Sequence, residues 1–385
     1  MSLARQKEGH RVDLDLSSDQ ELFSETTGRF LASNWTTTEV RRMIGDPVGF
    51  ARDPWDKGAE LGWTSMLVPE EFGGGTISGE GVRDLGIIAE LLGRSLFGGP
   101  VLPTNIVADA LARSGSEGLA KEHLPKIAAG QETAAWAVSE ENDDWLGRSG
   151  SVKAVPTRDG YRLTGVKTPI QDAHVADQLL VSASTGNGVV QILVPSSTNG
   201  VTVQRLEGMD LTRHFARVVF EGVEVPASAV TGEFGPDATE LETQLALALS
   251  LQCAETVGAT DRMYEATLQY MKDRKAFGRP IGSYQALKHR LADMLLWLES
   301  AKAVTDAALK AVQHNADASN AASLAKAYVA DRCPVILREC LQLHGGIGYT
   351  WEHDLHLYLR RVETNAAIYG GADFHCDRLA PAIGL

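Results

Sequence analysis

The sequence has few cysteines, and their spacing is not that of a metal site. Only Cys253, Cys333, Cys340 and Cys376 occur in 385 residues. All four fall where the apolar residues follow a helical period, and small buried thiols are common in such segments. The pattern predicts free, reduced thiols and argues against a zinc module or a disulfide scaffold.

Long apolar runs and positive charge are also scarce. No segment approaches the ~20 apolar residues that a membrane-spanning helix needs, and the N-terminus lacks the apolar core of a signal peptide. We therefore expect a cytoplasmic protein without a membrane span. The net charge of -14 argues against nucleic acid as a partner. No GxGxxG motif follows a candidate strand, which argues against a Rossmann dinucleotide domain.

What the sequence does contain is a pattern that changes period twice. Apolar residues recur at helical spacing from about Asp15 to Gly130. Short alternating runs separated by Gly and Pro then extend from Thr133 to about Glu233, which is typical of an all-β domain. Helical spacing returns from Glu240 to the end. We assign three domains, at residues 1–131, 132–236 and 237–385.

Two segments of the last domain carry specific motifs. The first is QLHGGIGYTWEHDLHLYLRR, residues 342–361. Gly345-Gly346 is predicted to end one helix, because glycine adopts the left-handed conformation without a Cβ penalty, and a new helix is predicted after Thr350. Taken alone, such a corner is more simply a tight turn between two helices.

The second segment is DRKAFGRPIGSYQALKHRLADM, residues 273–294. We predict that a long helix carries Arg274 and Phe277 to its end, where Gly278 caps it and Pro280 prevents its continuation. Together the two segments closely resemble the C-terminal helical domain of acyl-CoA dehydrogenases, and the resemblance extends over nearly the whole chain. It implies an α+β fold: an N-terminal helical domain, a middle β-barrel or sandwich domain, and a C-terminal four-helix bundle.

The resemblance implies that FAD is the cofactor and that this chain can hold the FAD of a neighbouring subunit. The residues that reach a neighbour's flavin nucleotide in the family are retained here as Arg274, Phe277, Gln342 and Gly346, and Gly345 belongs to the same corner. A guanidinium offers a planar donor fork to phosphate oxygens, and glycine permits close approach of the backbone.

Contacts to the chain's own flavin depart from the family pattern. Where the family often has Thr-Glu-Pro, this chain has Ser139-Glu140-Glu141, and Ser139 still offers a hydroxyl to the flavin edge. Where the family has an aromatic-Ile-Thr/Ser-Asn run over the flavin, residues 168–172 read TPIQD. The aromatic cover is missing.

The catalytic base departs furthest. In the family a carboxylate accepts a proton from the α-carbon while hydride leaves the β-carbon for the flavin. Most members place that Glu where this chain has Gly370, and isovaleryl-type members place it where this chain has Ala248. Glu255, about two turns beyond Ala248 on the same helix face, is the nearest alternative carboxylate, and its apolar surroundings predict a raised pKa. The alternative is a buried structural glutamate bonded to a neighbouring helix or an arginine.

These departures favour one subunit of a hetero-oligomeric acyl-CoA dehydrogenase, with tetrameric assembly. A second subunit would carry the catalytic Glu, and the assembly would catalyse α,β-dehydrogenation of a bulky or steroid-derived acyl-CoA thioester. An electron-transfer flavoprotein would accept the electrons. We expect no metal ion. Two alternatives stay open. One is a homotetrameric flavoenzyme that uses Glu255 or an unrecognised base, or a flavin monooxygenase-like variant. The other is a non-catalytic structural subunit.

Overall fold

The computed structural model describes residues 16–384 except 47, 142–143, 148, 187 and 236–237. Helices, then a sheet, then helices follow one another along the chain, which confirms the predicted architecture. The N-terminal helices are α1 (Ser18–Asn34), α2 (Thr37–Ile44), α3 (Arg52–Glu60), α4 (Gly81–Ser95), α5 (Val101–Arg113) and α6 (Glu117–Ala128). Residues 1–15, 47, 142–143, 148, 187, 236–237 and 385 of the assigned domains lie outside the described residues.

The middle part is an eight-stranded mixed sheet. Its order is β6-β7-β3-β2-β4-β5-β8, and β1 pairs with β4 in parallel. The strands are β1 (Ala134–Ala137), β2 (Lys153–Pro156), β3 (Gly160–Gln171), β4 (Gln178–Ser184), β5 (Val189–Pro195), β6 (Val201–Leu206), β7 (Phe215–Pro226) and β8 (Val230–Phe234). One face packs a core of its own that includes Val181, Ile192 and Phe220.

The C-terminal part is a helical bundle built on the 35-residue helix α7. Its helices are α7 (Thr239–Asp273), α8 (Gln285–Gln313), α9 (Ala318–His344), α10 (Leu355–Ala367) and α11 (Ala372–Leu379). α9 packs against α7, α8, α10 and α11. Among the described residues, no helix is long and apolar enough to cross a membrane. The boundaries at 131/132 and 236/237 stay predictions; α6 ends at Ala128, β1 begins at Ala134, and β8 ends at Phe234.

The segment around Phe277 corrects one expectation. α7 ends at Asp273, and the chain then forms a small hairpin of β9 (Lys275–Ala276) and β10 (Arg279–Pro280). Its two turn residues, Phe277 and Gly278, have φ of 54° and 82°. Positive φ at both positions is characteristic of a type I′ turn, whose twist matches that of the strands it joins. Phe277 is therefore at a hairpin tip, and Gly278 is a turn residue rather than a helix cap.

The corner at Gly345 follows the prediction more closely. α9 ends at His344, and Gly345 has φ of 64°. A 3-10 turn over Gly345–Tyr349 comes next, and α10 begins at Leu355, five residues later than Thr350. The helix thus begins later than the sequence predicted.

α4 and α7 cross at backbone distance, which ties the N-terminal helices to the bundle. A Cβ at Gly258 on α7 would lie 1.9 Å from the carbonyl oxygen of Glu90, and one at Gly93 on α4 would lie 1.9 Å from that of Glu255. Only glycine permits so close a crossing, because any side chain would separate the two helices.

Gly258→Ala tests this crossing. We expect it to destabilise the protein by about 1–3 kcal/mol, the usual cost of overpacking a core, and to lower the midpoint of thermal unfolding. Gly118→Ala on α6 is the matched control, because a Cβ there would meet no atom within 4 Å. Equal melting temperatures for the two variants would contradict a backbone-limited crossing.

Candidate active site

A buried cluster of charged side chains lies where the sheet meets the C-terminal helices. Its centre is Glu255 on α7, whose side chain is 2% exposed. Arg361 on α10 donates from Nη1 to Glu255 Oε1 at 3.0 Å, and Asn365 donates from Nδ2 to Oε2 at 2.9 Å. Arg213, from the segment before β7, donates a further hydrogen bond to Oε1. Both oxygens of the carboxylate are therefore engaged.

These contacts determine the charge of Glu255. Burial acts to raise its pKa, but Arg213 and Arg361 more than offset burial and hold the pKa below its ordinary value. The raised pKa predicted from the apolar run around Glu255 is wrong. That run gives no sign of the two arginines, which lie 42 and 106 residues away in the sequence. The contacts support the alternative of a buried structural glutamate bonded to arginine.

A second carboxylate completes the cluster. Arg361 donates from Nε to Asp210 and from Nη2 to Thr212 Oγ1 at 2.7 Å. Burial acts to raise the pKa of Asp210, and Arg361 and Arg213 lower it below its ordinary value. Two arginines thus face two ionised carboxylates in a closed site. Such an arrangement is suited to joining the sheet to the helices, since neither Glu255 nor Asp210 is poised to accept a proton.

The corner after α10 contains Gly370, where the resemblance places the usual base. Gly370 has φ of 98°, and a Cβ there would lie 2.2 Å from Cδ1 of Phe374. Lys326 on α9 braces the corner by donating from Nζ to the carbonyl oxygen of Ile368 at 2.9 Å. The Phe374 ring therefore fills the space that a side chain at position 370 would enter. Ala248, at the other base position, is buried on α7.

Aromatic side chains of the chain itself pack beside this corner. The ring centroid of Tyr369 lies 5.7 Å from that of Trp136 and 6.3 Å from that of Trp145. Trp136 donates from Nε1 to Gln244 Oε1 at 2.8 Å. Burial raises the pKa of Tyr369 to about 12, so its hydroxyl stays neutral. We call Trp136, Trp145 and Tyr369 the aromatic cluster; no sequence motif pointed to it, because its members come from distant segments.

Ser139, just beyond β1, is a buried hydroxyl that lacks a hydrogen-bond partner in the described part of the chain. Leaving such a group unpaired costs about 1–3 kcal/mol, so Ser139 remains a candidate for contact with a ligand. Beside it, Lys167 Nζ lies 2.7 Å from Glu140 Oε1 in a fully buried ion pair. Burial acts to raise the pKa of Glu140, but Lys167 and Ser149 bring it down to about 2. The family resemblance pointed to Ser139 but not to the Lys167–Glu140 pair.

The residues assigned to a neighbour's FAD all lie towards the outside of the protein. Phe277 is 96% exposed at the hairpin tip, and Arg274 is exposed just before the hairpin. Gln342 and Gly346 are exposed at the end of α9. A Cβ at Gly345 or Gly346 would meet no atom within 4 Å, so the backbone there is open to close approach. We call these five residues the outer face.

A ring stack joins the two segments that supply the outer face. The rings of Tyr270 and His344 stack with centroids 4.5 Å apart and planes 19° apart. Tyr270 is on the last turns of α7, where its carbonyl oxygen accepts from the backbone N–H of Arg274 at 2.9 Å. His344 directly precedes Gly345. The two motifs recognised separately in the sequence therefore meet in space.

Large apolar side chains follow the outer face along the chain. Ile347 is 49% exposed, Tyr349 68% and Trp351 55%. Monomeric proteins rarely expose several such side chains close together, whereas surfaces that another protein covers often do. The outer face thus has the character of an interface.

Comparison with known proteins identifies relatives over nearly the whole chain. The family model "Acyl-CoA dehydrogenase, N-terminal domain" matches residues 17–131, and "Acyl-CoA dehydrogenase, C-terminal domain" matches residues 242–384. Acyl-CoA dehydrogenase IpdE2 of Mycolicibacterium smegmatis is 29% identical over 92% of this chain and 96% of its own. The ChsE4-ChsE5 complex from Mycobacterium tuberculosis is similar at a TM-score of 0.87 and 27% identity, over 96% of this chain and 98% of that one. A variant of the steroid ACAD Tcur3481-Tcur3483 is similar at a TM-score of 0.86 and 27% identity, over 95% of this chain and 97% of that one.

Glu255→Gln tests the structural role of the charged cluster. Removing the carboxylate charge takes away the ion-pair partner of Arg213 and one of the two partners of Arg361, whose pair with Asp210 remains. We expect a loss of about 3–5 kcal/mol of stability at neutral pH. Because the folded pKa of Glu255 is depressed, its stabilisation is present above the unfolded pKa and is lost as pH falls through the folded pKa. The difference in melting temperature from wild type should therefore shrink in acid. Glu224→Gln, which breaks an exposed pair with Arg162, is the control and should melt like wild type. Unchanged stability of Glu255→Gln would restore Glu255 as a candidate base.

Gly370→Ala tests whether the corner excludes a side chain. The new methyl group would meet the Phe374 ring at a positive φ, and we expect a loss of about 2 kcal/mol or more. Gly371→Ala is the control next door, because Gly371 has φ of -79° and its Cβ would meet only a backbone oxygen at 3.9 Å. Thermal unfolding of both variants measures the difference. If they melt alike, the corner can accept a side chain.

Proposed function

The chain belongs to the acyl-CoA dehydrogenase family, and from that premise we propose that it is the non-base subunit of a hetero-oligomer. In this proposal it lends its outer face to FAD bound mainly by a second, homologous subunit, which carries the catalytic Glu. The assembly catalyses α,β-dehydrogenation of an acyl-CoA thioester. FAD, when bound, supplies the acceptor for the hydride that leaves the β-carbon.

The observation that carries this proposal is a contrast between two parts of the same chain. The outer face keeps every residue type that the resemblance requires there, and all of it is open to approach. At the Gly370 corner, by contrast, a base is absent and the Phe374 ring occupies the space where a side chain would begin. In the aromatic cluster beside it, Trp136 and Tyr369 are buried, at 2% and 8% exposed, and Trp145 is partly buried. The chain is thus fitted to give contacts to a neighbour's cofactor more than to receive a cofactor and substrate itself.

The outer-face residues suit a flavin nucleotide chemically. The exposed guanidinium of Arg274 can donate two parallel hydrogen bonds to phosphate oxygens. Phe277 presents an uncovered ring at the hairpin tip, and Gly345 and Gly346 let backbone N–H groups come close to a ligand. On the inner side, the unpaired hydroxyl of Ser139 is the polar atom suited to hold a flavin edge.

The relatives support the assembly and the substrate class. ChsE4-ChsE5 is a complex of two differently named chains, and Tcur3481-Tcur3483 is described as a steroid ACAD. By analogy we propose a second acyl-CoA dehydrogenase-like chain as the partner and a bulky, steroid-derived acyl-CoA as the substrate. An electron-transfer flavoprotein remains the proposed acceptor of the electrons.

The contacts of Glu255 count against the homotetrameric alternative. A carboxylate that already accepts hydrogen bonds from Arg213, Arg361 and Asn365 would have to leave them before it could take a substrate proton. Among the described residues, no contact favours the monooxygenase-like alternative or the purely structural subunit. Flavin content separates these possibilities.

Flavin absorbance of the chain purified alone, and then after co-expression with neighbouring dehydrogenase genes, tests the proposal. We expect a colourless protein alone and a yellow complex that holds fewer FAD molecules than chains. Within the complex, Arg274→Ala should lower the FAD content, because it removes a phosphate donor from the outer face. Arg162→Ala is the matched control, since Arg162 is an exposed arginine on the sheet.

The opposite outcomes are equally clear. A full FAD on every chain of the protein purified alone, bleached by an acyl-CoA, would exclude the two-subunit proposal. A complex that stays colourless would indicate a structural subunit.

A further inference from the structure

Three aromatic rings from distant segments contact one another where the two motifs of the outer face meet. The rings of Tyr270, near the end of α7, and His344, the last residue of α9, stack with centroids 4.5 Å apart. The ring of His353 meets that of His344 edge to face at 4.6 Å. His353 Nδ1 in turn accepts from the backbone N–H of Leu355, the first residue of α10, at 3.1 Å. We call these three rings the ring column.

The stacked rings are tied to the backbone that leads into each motif. The ring of His344 donates from Nδ1 to the carbonyl oxygen of Cys340 at 2.9 Å, because a carbonyl oxygen can only accept. This bond sets the orientation of the ring at the end of α9, directly before Gly345. On the other side, the carbonyl oxygen of Tyr270 accepts from the backbone N–H of Arg274 at 2.9 Å. The stack therefore connects the residue that carries the guanidinium to the residue that precedes the open glycines.

The hairpin after Arg274 is held by a different side chain. Tyr284, directly before α8, donates from Oη to the carbonyl oxygen of Ala276 at 3.1 Å. The guanidinium carbon of Arg279 lies 4.0 Å from the centre of the Tyr284 ring. These contacts join the hairpin to α8, whereas the ring column joins the base of the hairpin to Gly345 and the turn after it. The two attachments can therefore be tested separately.

The relative position of the two motifs matters for any ligand that contacts both. Groups that are already in place lose less conformational freedom on binding, and a displacement of about 0.5 Å is enough to weaken such a site. One turn before His344, helices α7 and α9 are joined where Cys340 Sγ lies 3.8 Å from the carbonyl oxygen of Met263. Beyond that contact, the stack of Tyr270 on His344 joins the two helix ends.

From these contacts we propose that Tyr270 and His344 are positioning residues for the outer face. Their stack holds Arg274 and the Gly345–Gly346 backbone in one relative position, so that the phosphate donor and the open backbone act on the same nucleotide. Both rings act through the backbone that they hold. This proposal rests on the proposed function, because the nucleotide is the FAD of a second subunit.

Amide hydrogen exchange of the full chain, followed by mass spectrometry, tests whether the stack holds both motifs. In Tyr270→Leu we expect several-fold faster exchange in residues 274–280 and in residues 345–350, because the ring that joins them is lost. Tyr270→Phe keeps the stack and should exchange like wild type. Tyr284→Leu is the matched control, since it releases the hairpin alone and should speed exchange only in residues 274–280.

His344→Leu removes the same stack from the other side and should reproduce the exchange pattern of Tyr270→Leu. Strand β4 should exchange at the wild-type rate in every variant, which shows that the fold is intact. Unchanged exchange of residues 345–350 in Tyr270→Leu and His344→Leu would overturn the proposal.

Retention of FAD by the co-expressed complex, measured from the fluorescence of released flavin on dilution, tests the consequence for binding. Tyr270→Leu should raise the dissociation constant of FAD several-fold, and Tyr270→Phe should restore the wild-type value. When Tyr270→Leu is combined with Arg274→Ala, the two losses should be less than additive, because both act through the position of one guanidinium. Fully additive losses, or equal weakening by Tyr270→Phe and Tyr270→Leu, would contradict a positioning role.

Arg274→Ala distinguishes a failure of this proposal from a failure of the proposed function. If Arg274→Ala leaves FAD binding unchanged, the outer face does not hold the nucleotide and the proposed function is wrong. If Arg274→Ala weakens FAD binding but Tyr270→Leu does not, the proposed function stands and the positioning role of the stack is wrong.

Discussion

The ionic contacts of Glu255 with Arg213 and Arg361 are the constraint on which the junction of sheet and helices depends. Each of these charges is buried, and a buried charge without a counter-ion would cost several kcal/mol. The three side chains come from α7, α10 and the segment before β7, so their charges are compensated in one arrangement of these elements only. The cluster therefore fixes where α10 lies on α7.

The position of α10 in turn sets the corner that follows it. Asn365 links the two regions: its side chain accepts from Arg213 at 2.7 Å and donates to Glu255, while its carbonyl oxygen accepts from Lys326. Lys326 also holds the carbonyl of Ile368, one residue before Tyr369. Burial lowers the pKa of Lys326 to about 8. Asn365 and Lys326 therefore both hold the corner at Gly370 in place. Replacing the glycine alone would not be enough to restore a base there.

The sequence predicted the elements well wherever local pattern decides structure. The order of helices and strands, the glycine end of α9 and the location of most strands follow from periodicity and turn residues. Prediction failed where partners are distant in sequence or where two local rules compete. Phe277-Gly278 can cap a helix or form a type I′ turn, and the pairing of Lys275 with Pro280 selects the turn. The lowered pKa of Glu255 and the aromatic cluster depend on contacts that no local pattern contains.

The symmetry of a subunit pair explains why it matters that this chain keeps the residues of the outer face. In a two-fold homodimer the same surface meets itself, so each chain both gives and receives the same contacts. A chain whose outer face is complete and whose corner excludes a side chain can give contacts without making full use of those it receives. The proposed hetero-oligomer fits this description, because its second chain would receive these contacts and supply the base. In the proposed hetero-oligomer, the second chain would cover the exposed side chains of Phe277, Tyr349 and Trp351. Burying the apolar surface of these side chains would stabilise the assembly by about 25 cal/mol per Å². The charged junction around Glu255 cannot contribute in this way, because it is already buried within the chain.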